Sequence, residues 1–524
     1  MIRGRLSFPP LIFIGFSLFI VLFLCSMSLF MPMAEDLFLT YGQGQITPRI
    51  PMSAWIAMLM QNGHLLPAGV VKIVDLWGYD YFHLSGFWLV GFVLAFGFCT
   101  YEYVRYIKLP TFLTPFLILL IGLHGFWGEL ILPLQNYIHY GFGLLGSAMT
   151  LLSVRRFKRH FFLSCAMASL WISVVFLSYP PLAVIPLFAV SLALISPIFL
   201  DYYPKNPPSF QEIMPLIFGF FVGELLLLII HFFLPQSPYS LDLSWISFQE
   251  NILHYIMHIP GLFFPFSHFH YDFIFPIHER LLYGVALLSI GCMLLKVSDT
   301  SLRFYGVLGL ILGLSLSLGP PYPMLPSLDG VISPRNLAGI PFFHGGLLLI
   351  ATLATINFLA QYFPRWPHNT LFFGFTFITI AFSFGNQLSI LYERVRQYTQ
   401  DEAMAAHLIS DLRKEGLLYQ EAPIAIVSHP NSIPQLNRIF SNDFPSSALR
   451  TQGSAGTALL SRSSGIALKT IPYETLRSST QNLWRKTETS EEFYNRLCGQ
   501  TPYPWRIKKT NTFTIVCVAG KNIE

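Results

Sequence analysis

The sequence predicts an α-helical polytopic membrane protein of about eleven transmembrane helices, followed by a small α/β soluble domain at the C-terminal end. Three observations predict it. Hydrophobic residues make up 53% of the 524 residues and charged residues only 11%, where a soluble domain carries about 25% charged. Mean hydropathy is +0.54. The charge is also uneven: residues 388–524 hold 16 Lys/Arg and 12 Asp/Glu, so 28 of the 59 charges fall in the last quarter of the chain. These features exclude a soluble globular enzyme and a disordered chain. A net charge of +5, scattered along the chain, also excludes a nucleic-acid partner, because phosphate-backbone binding needs clustered cations.

Apolar runs of about 17–25 residues cross a bilayer core. They fall at 11–31, 84–104, 109–124, 137–153, 161–178, 181–200, 213–234, 281–296, 303–319, 338–361 and 370–387. The first run is too long for the apolar part of a cleaved signal peptide, so it reads as an anchor. Short-loop cations set orientation. One side carries Arg3, Arg5, Arg105, Lys108, Arg155, Arg156, Lys158, Arg159, Lys205, Lys296, Arg303 and Arg365; the other carries Arg49, Lys72, Arg280 and Arg335. Twelve against four puts the N-terminus in the cytoplasm. An odd number of spans then puts the tail outside. The membrane domain is therefore 1–387, with a first outer loop at about 32–83, and the soluble domain is 388–524.

Three outer segments exceed simple turns. The first begins with Met33-Ala34-Glu35-Asp36 directly after the first span. Adjacent carboxylates at a membrane surface are costly to leave unpaired, and they read either as a helix cap or as a functional pair. Ile50–Met60 and Leu65–Trp77, separated by a polar stretch ending at His64, are too short to span and read as interfacial helices. The second segment, 235–280, contains His254, His258, His268, His270, Asp272 and His278. Its His-x-His-x-Asp pattern is of a kind that can ligate a metal, but the alternation fits a strand and fixes no further ligand, so the rings read first as sitting at the headgroup level or lining a groove. The third segment holds Asp329 and Pro334-Arg335-Asn336-Leu337. Within the spans, Glu129 and Glu224 stand out, since an intramembrane carboxylate is either structurally paired or functional.

In the tail, apolar residues from Ile390 to Leu412 recur at helical spacing, and Gly416 reads as the terminator of a helix over 389–415. Pro423–Val427 and Thr512–Val518 read as strands, with helices near 474–484 and 490–497. Four of the six cysteines lie in spans. Cys498 and Cys517 lie in the tail, and a disulfide between them is chemically permitted if the tail is exported. No phosphate loop, nucleophile elbow or zinc motif occurs.

Taken together, the inward N-terminus, the carboxylates opening the first outer loop, the interfacial helices and the outer tail resemble the GT-C superfamily of membrane glycosyltransferases. Within it the chain is most similar to the serotype-converting O-antigen glucosyltransferases of the Gtr type. Glu35-Asp36 matches an acidic pair that is often Asp-Asp. Pro334-Arg335-Asn336-Leu337 resembles an outward Pro-Arg segment. Asn386, Asp401, Ala403, Ala406, the Pro423–Val427 strand and the stretch from Pro502 to Val518 resemble the C-terminal pattern. The departure is Glu35 in place of Asp, which leaves open which carboxylate acts.

The resemblance implies transfer of a hexose, such as glucose, from a polyprenyl-phosphate donor to an outward-facing glycan or lipid acceptor. Asp36 or Glu35 would be the base, and Arg335, with Arg49 and Lys72, would hold the donor phosphate. His64, Glu224, His268 and His270 are candidate groove residues. It further implies no cofactor, lipid and saccharide partners, and placement in a bacterial inner membrane with the tail in the periplasm. An O-antigen polymerase or ligase, or a flippase of lipid-linked sugars, is the alternative.

Overall fold

The computed structural model describes residues 10–30, 56, 59–60, 64–77, 84–130, 136–199, 207–233, 261–263, 275–317, 337–363, 365, 367–418, 424–428, 459–460, 464, 494–495, 497–499, 505–509 and 514–518. Its helices are α1 (Pro10–Phe30), α2 (Leu65–Leu76), α3 (Ser85–Tyr106), α4 (Thr114–Gly122), α5 (Gly125–Leu130), α6 (Asn136–Arg156), α7 (Phe161–Ser178), α8 (Val184–Phe199), α9 (Phe210–Phe233), α10 (Ile277–Leu295), α11 (Thr300–Leu316), α12 (Ile340–Tyr362) and α13 (His368–Lys414). Strands β1 (Ile424–Ser428), β2 (Trp505–Lys509) and β3 (Thr514–Val518) follow.

Among the described residues, seven helices are long and apolar enough to cross a membrane: α3, α7, α8 with its leading 3-10 turn, α9, α10, α12 and the first part of α13. Helices also occupy the other four apolar runs of the sequence. Of these, α1, α4 and α11 are shorter apolar helices. The fourth, α6, has 21 residues, but its Gly, Ser and Thr residues dilute its apolarity.

The chain divides into two compact units. The larger comprises Met1–Ser26, Ala57–Val70 and Ser85–Leu388. In it α3 packs on α6, α6 and α9 on α7, α8 on α11 and α12, and α10 on α12. Lipid offers no hydrophobic drive between helices, so close packing and interhelical hydrogen bonds must hold them. The α8–α11 crossing shows both. A Cβ on Gly309 would stand 2.6 Å from the Ser191 carbonyl oxygen, and Ser191 Oγ donates to Gly309 O at 2.7 Å. The glycine lets the backbones meet, and the serine then bonds across the gap.

The larger unit has two chemically different ends. At one, Arg155 pairs with the buried Glu102 at 3.0 Å, with Arg105 at 3.8 Å. Nearby, Ser196 Oγ donates to Ile107 O and the Tyr106 hydroxyl to Glu212 O. Side chains of Leu294 and Ile198 crowd Gly306, which brings the C-terminal end of α10 to the same level. At 1.5 Å per residue, the start of α10 lies about 26 Å away, at the opposite end.

The second unit comprises Met27–Ile56, Val71–Leu84 and Ser389–Glu524. Its sheet has the order β1-β3-β2, with β1 parallel and β2 antiparallel to β3. Both faces are covered, which explains the continuous apolar runs of β1 and β3. Ile424, Ile426, Val516 and Val518 pack against Ala405, Leu408, Ile409, Leu412, Leu417 and Leu418. On the other face Ala425, Val427, Ile515 and Cys517 meet Tyr494 and Cys498. Strand β2 escapes the sequence pattern because Arg506, Lys508 and Lys509 interrupt it, as suits an edge.

Two expectations about the tail are resolved. The helix expected to start at 389 is instead continuous with the last apolar helix, as a 47-residue α13. Near their junction the residue least suited to a helix is Gly385, and a single glycine costs about 1 kcal/mol in a helix, too little to break it. The expected stop holds: Gly416 adopts φ +69, and Leu417 N–H donates back to Leu412 O at 2.9 Å, a Schellman-type closure. Cys498 and Cys517 form a disulfide with Cα atoms 5.7 Å apart. The segment 474–484 lies outside the described residues.

Two outcomes follow from this packing. Gly309→Leu should lower the thermal midpoint of the detergent-solubilised chain, overpacking costing about 1–3 kcal/mol. Gly291→Ala, with nothing within 4 Å, should leave the midpoint unchanged or raise it slightly. Replacing Cys498 and Cys517 by serine opens a loop spanning 19 residues and should remove about 3 kcal/mol from the tail. Amide exchange should then speed up in Ile424–Ser428 and Thr514–Val518 of the full chain while the α3 amides keep their protection.

Candidate functional site

Of the residues to which the resemblance gives a role in the site, three are described. His64 lies in the larger unit, where its ring meets His139 edge-on at 4.7 Å and stacks on Tyr179 at 6.1 Å. Tyr179 also packs on Tyr140. Glu224 is half-buried on α9, and its Oε1 has no hydrogen-bond partner among the described residues. Its neighbour Gly223 faces the Phe176 ring of α7. Lys72 is exposed on α2 and pairs with Asp75 at 3.7 Å, one turn along the same helix. Such a surface pair contributes about 0–1 kcal/mol. Among the described residues, no contact brings these three together. Glu35, Asp36, Arg49, Glu129's side chain, His268, His270 and Arg335 lie outside the described residues.

A different polar cluster is the chemically dense part of the larger unit. It forms where α4 ends and α10 and α12 begin, at the end opposite the Glu102–Arg155 pair. Its members are His124, Glu279, Arg280, Tyr283 and His344, all 0–1% exposed. Glu279 and Arg280 stand in the first turn of α10, and His344 in the second turn of α12. Tyr283, one turn on from Glu279, stacks on the His344 ring at 4.4 Å. Phe275 stacks on His124 at 4.8 Å and on His344 at 5.7 Å. Phe263 closes on His344 edge-on at 4.9 Å. The histidines are therefore walled by aromatic rings.

Hydrogen bonds lock this arrangement. His124 precedes α5 and caps it, its Nδ1 accepting from Phe126 N–H at 3.3 Å. His124 Nε2 lies 3.1 Å from His344 Nδ1. Gln387 Nε2 donates to Leu123 O at 3.2 Å and to His124 O at 3.0 Å. These carbonyls belong to the corner where α4 stops, and helix ends leave such groups unpaired. Asn386 Nδ2 approaches Glu279 Oε1 at 3.5 Å. The Ser383 hydroxyl and the Gly125 amide also lie against this carboxyl. Trp127 Nε1 donates to Ala338 O at 3.0 Å, fixing the start of α12 to α5.

Reading the sequence span by span overlooked this cluster. It placed Glu279 and Arg280 in a loop ahead of a span at 281, whereas α10 begins at Ile277. His344 was absorbed into an apolar run. The signal that would have found them is the rule applied to Glu224: an ionisable residue inside an apolar helix needs an explanation. Among the described residues, no group of three or more metal-ligating side chains occurs.

Gln387→Met keeps the volume but strands two buried carbonyls, at about 1–3 kcal/mol each. The variant should therefore lose about 2–6 kcal/mol in unfolding of the detergent-solubilised chain, read as a lowered thermal midpoint. In comparisons with protein-family models, curated proteins and solved structures, nothing matches this chain.

Proposed function

We propose that this chain is an eleven-span membrane glycosyltransferase of the GT-C kind. It moves a hexose from a polyprenyl-phosphate donor to an outward-facing glycan or lipid acceptor. The observation that supports this reading best is the sealed cluster of Glu279, Arg280, His124 and His344 at one end of an apolar bundle. Buried ionisable groups in a membrane bundle are expensive and mark substrate sites. Leu337 and Ala338, the first described residues after Arg335, are buried, and Ala338 O accepts from Trp127 Nε1.

In the proposed reaction one of Glu35 and Asp36 takes the proton from the acceptor hydroxyl. The hydroxyl oxygen attacks the anomeric carbon, the bond from that carbon to the phosphate oxygen breaks, and polyprenyl phosphate leaves with the electron pair. A single displacement of this kind inverts the anomeric centre. Arg335, with Arg49 and Lys72, would meet the charge growing on the leaving phosphate. Lys72 is partly engaged by Asp75, so Arg335 is the stronger candidate. The base is worth about 10²–10⁴-fold.

The orientation that suits this reading puts the N-terminus in the cytoplasm of a bacterial cell and the tail in the periplasm. The Cys498–Cys517 disulfide supports an oxidising compartment for the tail. The Arg105 and Arg155 end of the bundle suits the cytoplasmic face, where cations are enriched.

The test is hexose transfer from a polyprenyl-phosphate hexose in proteoliposomes. One of Glu35→Gln and Asp36→Asn should lose about 10²–10⁴-fold in rate, and Arg335→Ala about 10²–10³-fold, with thermal midpoints unchanged. Full activity in both carboxylate variants would move the base elsewhere. Transport of lipid-linked sugar without transfer would replace the enzyme by a flippase.

A further inference from the structure

Among the polar atoms of the buried cluster without a hydrogen-bond partner among the described residues are His344 Nε2 and Glu279 Oε2. Their side chains are 0% and 1% exposed. Each unsatisfied buried group of this kind costs about 1–3 kcal/mol. Here two belong to one cluster.

The surrounding hydrogen bonds fix what each atom offers. Phe126 N–H donates to His124 Nδ1, so that nitrogen carries no proton. The proton of the neutral ring is then on Nε2, which donates to His344 Nδ1 at 3.1 Å. His344 Nδ1 is thereby an acceptor, and its ring proton resides on Nε2. A second proton on His344 would set two N–H groups against each other across that contact. His344 Nε2 is therefore a neutral donor, held by a relay that starts at a backbone amide. Glu279 offers the reverse. The groups gathered around its carboxyl are donors, namely Asn386, Ser383 and the Gly125 amide, and in the ionised form that such donors favour Oε2 presents an acceptor. Tyr283 links the two, one helical turn from Glu279 and stacked on His344.

We infer that this cluster binds a hydroxyl group of a saccharide, with His344 Nε2 donating to the hydroxyl oxygen and Glu279 Oε2 accepting its proton. A hydroxyl is donor and acceptor at once, which suits a cluster that holds both a donor and an acceptor to spare. A phosphate ester only accepts, and it would face the Glu279 carboxylate. A metal cation needs a lone pair where His344 presents N–H. The identification of the hydroxyl as a sugar's rests on the proposed lipid-linked sugar substrate. It assigns this cluster to the sugar and leaves the phosphate to Arg335 and its companions.

The experiment uses the full chain in lipid nanodiscs, with saturation-transfer NMR of methyl glucosides, galactosides and mannosides and with inorganic phosphate as competitor. At least one glycoside should bind the wild type saturably, and phosphate should not displace it. His344→Phe should weaken that binding at least about tenfold and Glu279→Met similarly. His344→Gln, which keeps a donor toward the ligand and an acceptor toward His124, should stay within about threefold. Thermal midpoints identify any variant that fails to fold, in which case the comparison of His344→Gln with the remaining variant decides. The inference is overturned if no glycoside binds the wild type, if phosphate competes, or if His344→Phe binds as the wild type does. A chain that binds glycoside but transfers no sugar would keep this site and lose the enzyme reading. Transfer unaffected by these substitutions would do the opposite.

Discussion

The double donation from Gln387 to the carbonyls of Leu123 and His124 is the contact on which the larger unit's polar chemistry depends. Helix α4 is short, and stopping it inside an apolar bundle frees backbone acceptors that no water can reach. In such surroundings every backbone polar group needs an internal partner. Gln387 supplies it from a helix more than two hundred residues later in the chain. With the corner held, His124 is free to cap α5 instead of serving α4. The cap decides which ring nitrogen of His124 carries the proton, and that in turn decides what His344 presents. A structural repair at a helix break thus becomes the origin of a directed donor.

The same economy appears at the other end. Glu102 is buried, and taking its charge out of water is justified only by the Arg155 partner at 3.0 Å. One end of the bundle therefore holds a matched ion pair and an excess of cations. The other holds a polar cluster that its own residues do not fully satisfy.

How much of this was legible in the sequence depends on range. Apolar runs found every long helix, because spanning lipid demands a length and an apolarity that show locally. Gly416 announced the end of α13 for the same reason: its left-handed backbone is a local need. The continuity of α13 was hidden because the change from apolar to polar residues near Leu388 looks like a boundary, whereas helix formation is indifferent to it. The polar cluster was illegible in a stronger sense. His124, Glu279, His344 and Gln387 come from four separate helices or corners, and each alone is a single polar residue near a helix end. Only tertiary contact joins them. The acidic pair and Arg335 remain where the sequence resemblance put them, as candidates outside the described residues.

The sheet of the tail has a consequence for how the chain is made. Its central strand, β3, is the last of the three to be synthesised, and among the described strands β1 pairs only with β3. Some 86 residues separate the end of β1 from the start of β3. At about 5–20 residues per second this is a wait of roughly 4–17 s. During that interval Ile424–Val427 is an apolar strand without its partner among the described strands. The tail is therefore at its most vulnerable to mispairing before its second half has emerged, and a factor that shields nascent chains would act on this short strand first.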